Sequence, residues 1–334
     1  MKPVVWGVLG TARIGVTKVI PAMLRSPLVR VRGIASRTLA AAQTVAQQLG
    51  IAEAYGSYET LLADPDIEAV YNPLPNHLHV PLTLAAARAG KHVLCEKPIA
   101  LNADEARQLQ QVAGQVRIAE AFMVRHHPQW HRVRALLRDG HIGVPRAVQA
   151  SFSFFNDSPA DIRNQLDIGG GALYDIGCYA IAAGRFLFEA EPVRVIALAD
   201  RDPQLRVDRT TSSLLDFGAG RQLSFSVCTQ GSPYQRLTIL GTRGRIEMEV
   251  PFNAPLSVAR RLRIDTRGSL NDDDLAIETL PETDQYQQMV ENFSRTVRGE
   301  PAPFWGLEDA IAQMEVIDAL FRSERRGTWE EVKR

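Results

Sequence analysis

The chain has 334 residues, 45% of them hydrophobic, which is enough for two domains with buried cores. Lysine plus arginine equals aspartate plus glutamate, at 38 each, so the charge argues against a nucleic-acid partner and favours a small-molecule ligand. The first residues, MKPVVWGVLG, contain no signal-peptide pattern, and no apolar run of about 18 residues follows. We therefore expect a cytoplasmic protein with no membrane partner. Its three widely spaced cysteines suit reduced thiols better than disulfides.

The first part of the chain, up to about Ala121, alternates short β-branched runs with longer helical patterns. The predicted strands are VVWGVLG, VRVRGIAS, EAVYN, HVLC and VRIAEA, with another short strand near residues 51–55. The segment Asn72–Asn76 is predicted to be a loop because its prolines cannot donate to a sheet, and a helix is predicted from His79 to Ala89. This alternation predicts a parallel sheet wrapped by helices.

From Pro128 the pattern changes, and we assign residues 123–334 to a second α/β domain. A helix to about Arg138 and a strand near residues 146–155 precede a helix opened by glycines, 171–188. Closely spaced strand patterns follow at 193–199, 210–217, 223–229, 236–240 and 245–250, where FGAGR and GTRGR resemble hairpin turns. Helical spacing returns at 284–298 and 307–325. The prediction is a C-terminal α/β domain with a large, mostly antiparallel open sheet.

A glycine-rich turn stands between the first predicted strand and the helix after it. The residues Gly10 to Gly15 have the spacing of a dinucleotide-binding fingerprint, with Ala12 at the middle position. The N–H groups and dipole of such a helix attract pyrophosphate. An ordinary strand-to-helix turn is the alternative, which the surrounding βαβ pattern disfavours. We therefore predict a Rossmann domain over residues 1–122, with the cofactor at Gly10, Thr11, Ala12, Arg13 and Ile14.

The end of the second predicted strand distinguishes between the two nicotinamide cofactors. NAD-specific Rossmann enzymes place an acidic residue there for the ribose hydroxyls, whereas this chain has no Asp or Glu before Glu53. The Arg37 guanidinium suits a 2′-phosphate, and the hydroxyls of Ser36 and Thr38 can donate to it. NADP is therefore the predicted cofactor, with NAD possible. The alternative is that Arg37 is only a surface arginine.

Four motifs occur in order along the chain: GVLGTARIG, YNPLPNHLHVPLTLAAARAGKHVLCEKPIAL, EAFMVRHHPQW and GGGALYDIGCYAI. Together they resemble the glucose-fructose oxidoreductase, inositol dehydrogenase and rhizopine-catabolism (Gfo/Idh/MocA) family. The similarity extends from Val4 to near Leu307. Many members carry histidine where this chain has Tyr179. In carrying a tyrosine at this position, the chain resembles the subgroup that contains glucose-fructose oxidoreductase, dihydrodiol dehydrogenase and NADP-dependent xylose dehydrogenase.

The resemblance implies roles for particular residues. In the family, the lysine of the EKP motif contacts the nicotinamide and the reacting hydroxyl, and the peptide before the following proline tends to be cis; Lys97 and Pro98 occupy these positions. We expect Glu96 to hold this loop. Further cofactor contacts are implied at Pro73, Asn76, His77, Glu96 and Lys97. The implied substrate contacts are Lys97, Arg125, Asp175 and Tyr179, with Trp130 beside the cleft.

The chemistry expected of this set is proton removal coupled to hydride transfer. A free tyrosine titrates near pKa ~10, so a base near neutrality needs a shift of roughly three units, or ~4 kcal/mol. One ammonium ~4 Å away supplies ~4 kcal/mol at an effective dielectric of ~20. We hypothesise that Lys97 binds the C1 oxygen of an aldose and lowers the pKa of Tyr179, which takes the proton, while Asp175 orients the sugar. Lys97 itself is the alternative proton acceptor.

Simpler interpretations exist for each of these residues. Without the resemblance, Lys97 is a solvated loop lysine, and Tyr179 is a buried tyrosine one helical turn from Asp175. His127 and His131 are four residues apart, but no Glu or Cys completes a ligand set, so no metal is predicted.

The expected function is an NADP-dependent oxidoreductase that transfers hydride between the nicotinamide and a cyclic aldose or related polyol. The alternatives are a non-catalytic NADP-binding regulator, or an oxidoreductase of a trans-dihydrodiol or an anhydro-ketose. The open sheet is expected to pair subunits into a homodimer or homotetramer, as in relatives.

Overall fold

The computed structural model describes residues 2–268 and 275–333. The chain divides into two compact units, of which the first comprises Met1–Met123 and Asp284–Ile311. The second comprises Val124–Thr283 and Ala312–Arg334. The division predicted from sequence assigned everything after residue 122 to one domain. The segment Asp284–Ile311 departs from that division because it packs with the first unit.

The first unit contains a parallel sheet with the strand order β3-β2-β1-β4-β5-β6. Strands β1, β4 and β6 are buried along almost their whole length, as expected of a parallel sheet covered by helices. Each strand predicted in this part of the sequence is present, so the Rossmann prediction is confirmed. The strands are β1 Val4–Leu9, β2 Val29–Ala35, β3 Glu53–Tyr55, β4 Ala69–Asn72, β5 His92–Cys95 and β6 Ile118–Glu120.

Helices follow most strands of this sheet, and side-chain caps fix several of their starts. Thr38, Ser57, Asn102 and Asp284 each accept a hydrogen bond from a backbone N–H in the first turn of the helix that follows. In chain order the helices are α1 Ile20–Arg25, α2 Leu39–Leu49, α3 Tyr58–Leu62, α4 His79–Arg88, α5 Ala103–Arg107, α6 Pro128–Arg138, α7 Cys178–Phe188, α8 Gln285–Val297 and α9 Leu307–Arg326. None of the described helices is long and apolar enough to cross a lipid bilayer.

The packing of α8 explains why residues 284–311 belong to the first unit. The ring of Phe293 lies 5.3 Å from the ring of Trp6 in β1, and the Trp6 Nε1–H donates to the Ser294 hydroxyl at 3.3 Å. Trp6 is fully buried. Helix α8 therefore covers the centre of the parallel sheet, and the apolar spacing at 284–298 marks the face that does so.

The second unit contains a mixed sheet with the strand order β14-β13-β12-β11-β7-β10-β9-β8-β15. Its pairs are antiparallel except for β7 with β10, which run parallel. The predicted large, mostly antiparallel sheet is confirmed, although the sequence analysis did not identify β13, β14 or β15. The strands are β7 Pro145–Phe155, β8 Arg194–Arg201, β9 Asp208–Asp216, β10 Gln222–Cys228, β11 Gln230–Gly241, β12 Arg245–Met248, β13 Arg260–Asp265, β14 Ala276–Leu280 and β15 Glu330–Glu331.

The two faces of the mixed sheet differ in character. On one face, residues such as Val148, Leu223 and Phe225 are buried, and α7 packs there, with Gly184 close to Leu223. The opposite face carries serines at 151, 212, 224 and 226 together with apolar residues, among them Leu198, which is 76% exposed. This second face is the open face of the sheet within its unit.

Candidate active site

The glycine-rich turn after β1 has the backbone shape of a phosphate-binding turn. Gly10 has φ +100°, and a Cβ atom at that position would lie 2.8 Å from Leu74 Cδ2, so only glycine fits. Its N–H donates to the Ala35 carbonyl at 2.8 Å, which ties the turn to the end of β2. Gly15 is buried, and its Cβ would contact the Tyr71 ring at 3.5 Å. The start of the helix that follows the glycine turn therefore packs closely against the end of β4, as a dinucleotide site requires.

The three predicted residues after β2 have different surroundings. Ser36 is buried and its N–H donates to the Tyr55 carbonyl at 3.1 Å. Thr38 caps α2 by accepting the Ala41 N–H at 3.3 Å. Arg37 is exposed and has no acidic partner within the described part of the chain. A cation without a counter-charge at the end of β2 suits a 2′-phosphate.

The loop after β4 brings Pro73, Asn76 and His77 to the same edge of the sheet. Pro73 is buried, and a Cβ on Gly15 would lie 3.6 Å from its Cγ. Asn76 begins the 3₁₀ turn Asn76–Leu78. The Nδ1 atom of His77 is buried, with no hydrogen-bond partner among the described residues. These residues follow β4 as predicted, and their contacts with cofactor remain predictions.

Lys97 lies in a loop after β5 that carboxylates hold on both sides. The Tyr71 hydroxyl donates to Glu96 Oε1 at 2.6 Å, and the Lys97 N–H donates to Glu96 Oε2 at 3.4 Å. The Ile99 N–H donates to Glu120 Oε1 at 2.8 Å. The Lys97–Pro98 peptide is cis, in agreement with the expectation. Glu96 therefore holds the loop as expected, and Tyr71 and Glu120 are further supports that no sequence pattern indicated.

His79 is a second support of this loop, and no sequence pattern indicated that role. Its Nδ1 lies 2.7 Å from the Pro98 carbonyl oxygen and its Nε2 lies 2.6 Å from the Leu74 carbonyl oxygen. The imidazole thus joins the loop after β4 to the loop that carries Lys97. Burial lowers the pKa of His79 to about 4, although the two carbonyl acceptors favour the charged ring. Burial also lowers the pKa of His126 to about 3 and that of His127 to about 4.

The low pKa values of these buried histidines predict that the protein loses stability in mild acid. A histidine with an ordinary pKa of 6.5 unfolded and about 4 folded stabilises the protein above pH 6.5, and that contribution, at most about 3 kcal/mol for His79, is lost as pH falls to 4. The urea midpoint of the wild type should fall over this range, and His79→Gln should flatten the fall. The exposed His141→Gln is the matched control. Equal pH dependence of wild type and His79→Gln would contradict the prediction.

In the second unit, the glycine motif before α7 fits between a loop and a buried carboxylate. The N–H of Gly170 donates to the Gln165 carbonyl at 2.9 Å and that of Gly171 to the Arg163 carbonyl at 2.8 Å. Gly171 has φ +122°, and a Cβ there would lie 2.0 Å from Asp208 Oδ1. Glycine at 171 is therefore required both by its backbone angle and by the space that Asp208 occupies.

Asp208 holds the start of the helix that carries Asp175 and Tyr179. Its Oδ2 accepts the Leu173 N–H at 2.7 Å and the Thr211 hydroxyl at 2.7 Å, and the side chain is 1% exposed. Burial raises the pKa of Asp208 to about 6, against the lowering effect of its donors. No sequence signal marks Asp208, because it is brought to the glycine motif by β9.

Asp175 and Tyr179 are both held within the second unit. Arg163 Nε lies 3.0 Å from Asp175 Oδ2, and the Asp175 charge raises the pKa of Arg163, whose side chain is 40% exposed. The Tyr179 ring is 7% exposed and packs at 6.1 Å from Phe152 and 5.7 Å from Phe252, measured between ring centroids. The turn before α7, Leu173–Gly177, is π-helical rather than α-helical. The helix predicted over 171–188 is therefore present, with a π-helical turn at its start.

The other residues predicted from sequence near the second domain's start are internal. Arg125 is buried in the turn Met123–His126. Trp130 was expected beside a cleft, but it is buried, and its Nε1–H donates to the Pro251 carbonyl at 2.9 Å. His127 Nδ1 accepts the Gln129 N–H at 3.1 Å and so caps α6. Within residues 2–268 and 275–333, no group of three or more His, Cys, Asp or Glu could hold a metal ion.

Comparisons with known proteins agree with this geometry. Residues 4–126 match the oxidoreductase family with an NAD-binding Rossmann fold, GFO_IDH_MocA, and residues 130–247 match the GFO/IDH/MocA C-terminal domain. An uncharacterised oxidoreductase of Rhizobium meliloti, ORF334, is 45% identical over 98% of each chain. D-xylose 1-dehydrogenase (NADP(+)) 2 of Haloferax volcanii is 40% identical over 96% of this chain and 98% of the relative.

A solved structure shares the fold along nearly the whole chain. The 3-ketoreductase KijD10 of Actinomadura kijaniata, in complex with NADP and TDP-benzene, has a TM-score of 0.90 and 32% identity, covering 96% of this chain and 98% of that one. The chain is an NAD(P)-dependent oxidoreductase, and it belongs to the GFO/IDH/MocA family. The resemblance seen in the sequence and the NADP prediction are confirmed, and the non-catalytic alternative is set aside.

Proposed function

We propose that this protein oxidises a cyclic aldose at C1, or a hydroxyl of a related polyol, with NADP⁺ as the hydride acceptor. The observation that carries the proposal is the fixed setting of Lys97, whose loop is held by Glu96, Glu120 and His79. These contacts fix the backbone from which the Lys97 side chain extends before substrate binds, which favours a role of its ammonium group at the reacting oxygen. The 40% identity to a D-xylose 1-dehydrogenase supports an aldose as substrate.

The proposed mechanism assigns one task to each side chain. Bound NADP⁺ supplies the hydride acceptor. The Lys97 ammonium donates a hydrogen bond to the C1 oxygen and stabilises negative charge there, and the Tyr179 hydroxyl group, once deprotonated, takes the proton. Asp175 accepts hydrogen bonds from sugar hydroxyls, and Arg163 keeps that carboxylate oriented. Lys97 as the proton acceptor is the alternative within this mechanism.

The test is reduced-nicotinamide absorbance with purified protein, NADP⁺ or NAD⁺, and a panel of xylose, glucose, arabinose, inositol and a vicinal cyclohexanediol. Turnover with NADP⁺ and a pyranose supports the proposal, and turnover only with the diol supports the trans-dihydrodiol alternative. The reverse assay, NADPH with an anhydro-ketose or a nucleotide-linked keto sugar, covers reductases such as KijD10, which the TM-score of 0.90 favours as the second candidate. Absence of pyranose turnover with activity in the reverse assay would reject the aldose.

We also propose that the open face of the mixed sheet pairs two copies of the chain. Leu198 is 76% exposed there, beside Ile196, Leu214 and a row of serines. Pairing would cover an apolar surface that is otherwise an aggregation hazard. A molar mass by light scattering of two or four chains is expected, and Leu198→Glu should shift it towards one. A wild-type mass of one chain would contradict the proposal.

A further inference from the structure

A tyrosine that the sequence analysis did not identify lies beside the glycine turn of the first unit. Tyr58 begins α3, whose cap Ser57 accepts the Thr60 N–H at 3.2 Å. A Cβ atom built on Gly10 would lie 4.0 Å from the Tyr58 hydroxyl oxygen. The phenol therefore reaches the turn that follows β1.

Backbone hydrogen bonds gather three segments at this edge of the parallel sheet. The Gly10 N–H donates to the Ala35 carbonyl at 2.8 Å, and the Ser36 N–H donates to the Tyr55 carbonyl at 3.1 Å. These bonds join the ends of β1, β2 and β3. Tyr58 follows β3 closely and Arg37 follows β2 closely, so both extend from the same edge.

The electrostatics place Tyr58 and Arg37 in the same neighbourhood. Burial raises the pKa of Tyr58, and the positive charge of Arg37 lowers it in part. The guanidinium and the phenol therefore lie within electrostatic range of each other.

The Tyr58 hydroxyl differs from those of two neighbouring tyrosines. Tyr55 donates to Asp64 and Tyr71 donates to Glu96, whereas the Tyr58 hydroxyl has no hydrogen-bond partner in the described part of the chain. Arg37 likewise lacks an ion pair there. The Tyr58 hydroxyl beside the glycine turn and the Arg37 guanidinium after β2, both without partners among the described residues, form a pair of donors for one anionic ligand group.

We propose that the Tyr58 hydroxyl donates a hydrogen bond to the 2′-phosphate of NADP beside Arg37 and so contributes to the choice of NADP over NAD. In Rossmann folds the ribose 2′ position is recognised by residues at the end of the second strand, and Arg37 follows β2 here. A phosphate has three acceptor oxygens, which is sufficient for the guanidinium and a phenol together. This inference concerns the cofactor and goes beyond the proposed sugar chemistry.

The test is fluorescence titration of the purified full-length protein with NADPH and with NADH. Tyr58→Phe should raise the Kd for NADPH about 10- to 100-fold, as expected for the loss of one hydrogen bond to a charged group, and change the Kd for NADH less than about twofold. Tyr55→Phe is the matched control, because its hydroxyl faces Asp64 and both Kd values should stay unchanged. In an Arg37→Ala background the effect of Tyr58→Phe should shrink, since the 2′-phosphate is less firmly held.

Two results would overturn the inference: an unchanged Kd for NADPH in Tyr58→Phe, or equal weakening of NADPH and NADH. The apo protein should keep its thermal midpoint, and Tyr58→Leu, which fills part of the space of the ring without a hydrogen-bond donor, gives the same comparison if Tyr58→Phe does not fold. The titrations need no sugar, so their outcome is independent of whether the substrate is an aldose.

Discussion

Replacement of Tyr179 by phenylalanine is expected to lower kcat by about 10²- to 10⁴-fold while the Kd for NADPH stays within about threefold. The reason is that the ring itself packs against Phe152 and Phe252, which phenylalanine preserves, so only the hydroxyl is lost. Stopped-flow measurement of the hydride-transfer step, with NADPH titration in parallel, separates chemistry from binding. Tyr234→Phe, on an exposed part of β11, is the control and should keep full activity.

The same measurements on Lys97→Met distinguish the two proposed proton acceptors. If Tyr179 is the base and Lys97 assists it, Lys97→Met should retain slow turnover whose pH profile moves to higher pH, because an ammonium no longer lowers the tyrosine pKa. If Lys97 is the base, Tyr179→Phe should retain an unshifted profile. Full turnover of Tyr179→Phe would reject the tyrosine mechanism altogether.

A second large effect is expected at the glycine motif before α7. Gly171→Ala should lower the free energy of unfolding by at least about 3 kcal/mol, because alanine is strained at positive φ and its methyl collides with a buried side chain. The backbone angle is φ +122°, and the colliding atom, Asp208 Oδ1, would be 2.0 Å away. Urea unfolding monitored by tryptophan fluorescence measures the difference.

The control for this substitution is Gly50→Ala at the end of α2. Gly50 also has positive φ, at +68°, but nothing lies within 4 Å of its added Cβ. Gly50→Ala should therefore lower the free energy of unfolding by only about 1 kcal/mol, which is the cost of placing alanine at positive φ. Equal destabilisation by the two substitutions would show that contact with Asp208 contributes nothing to the requirement for glycine at 171.

The elements that sequence predicted best are those whose signal is local. The strands of the parallel sheet have β-branched runs bounded by turn residues, and each was found close to its predicted bounds. The glycine turn, the position of Arg37 and the EKP loop depend on residues adjacent in sequence, so motif and structure agree. The strands β13 and β14 were missed because arginines and acidic residues interrupt their apolar alternation.

The supports of the site were not predictable, since each is joined to its partner only by the fold. His79 meets the Pro98 carbonyl 19 residues away, and Asp208 meets the Leu173 N–H 35 residues away. Asp208 belongs to none of the four motifs, and the place of His79 within the second motif does not show which carbonyl groups its ring contacts. The return of residues 284–311 to the first unit was missed for the same reason: a helical pattern indicates an apolar face but not the sheet that the face covers.

Because residues 284–311 belong to the first unit, the unit with the Rossmann fold is discontinuous in sequence. A chain cut after residue 122 would lack α8 and expose Trp6, which is fully buried in the intact protein. The unit cannot be transplanted as one continuous gene segment; a graft must carry residues 284–311 as well, joined by a new linker. The second unit is discontinuous as well, so an exchange that replaces segment 124–283 must also carry residues 312–334 of the same donor chain.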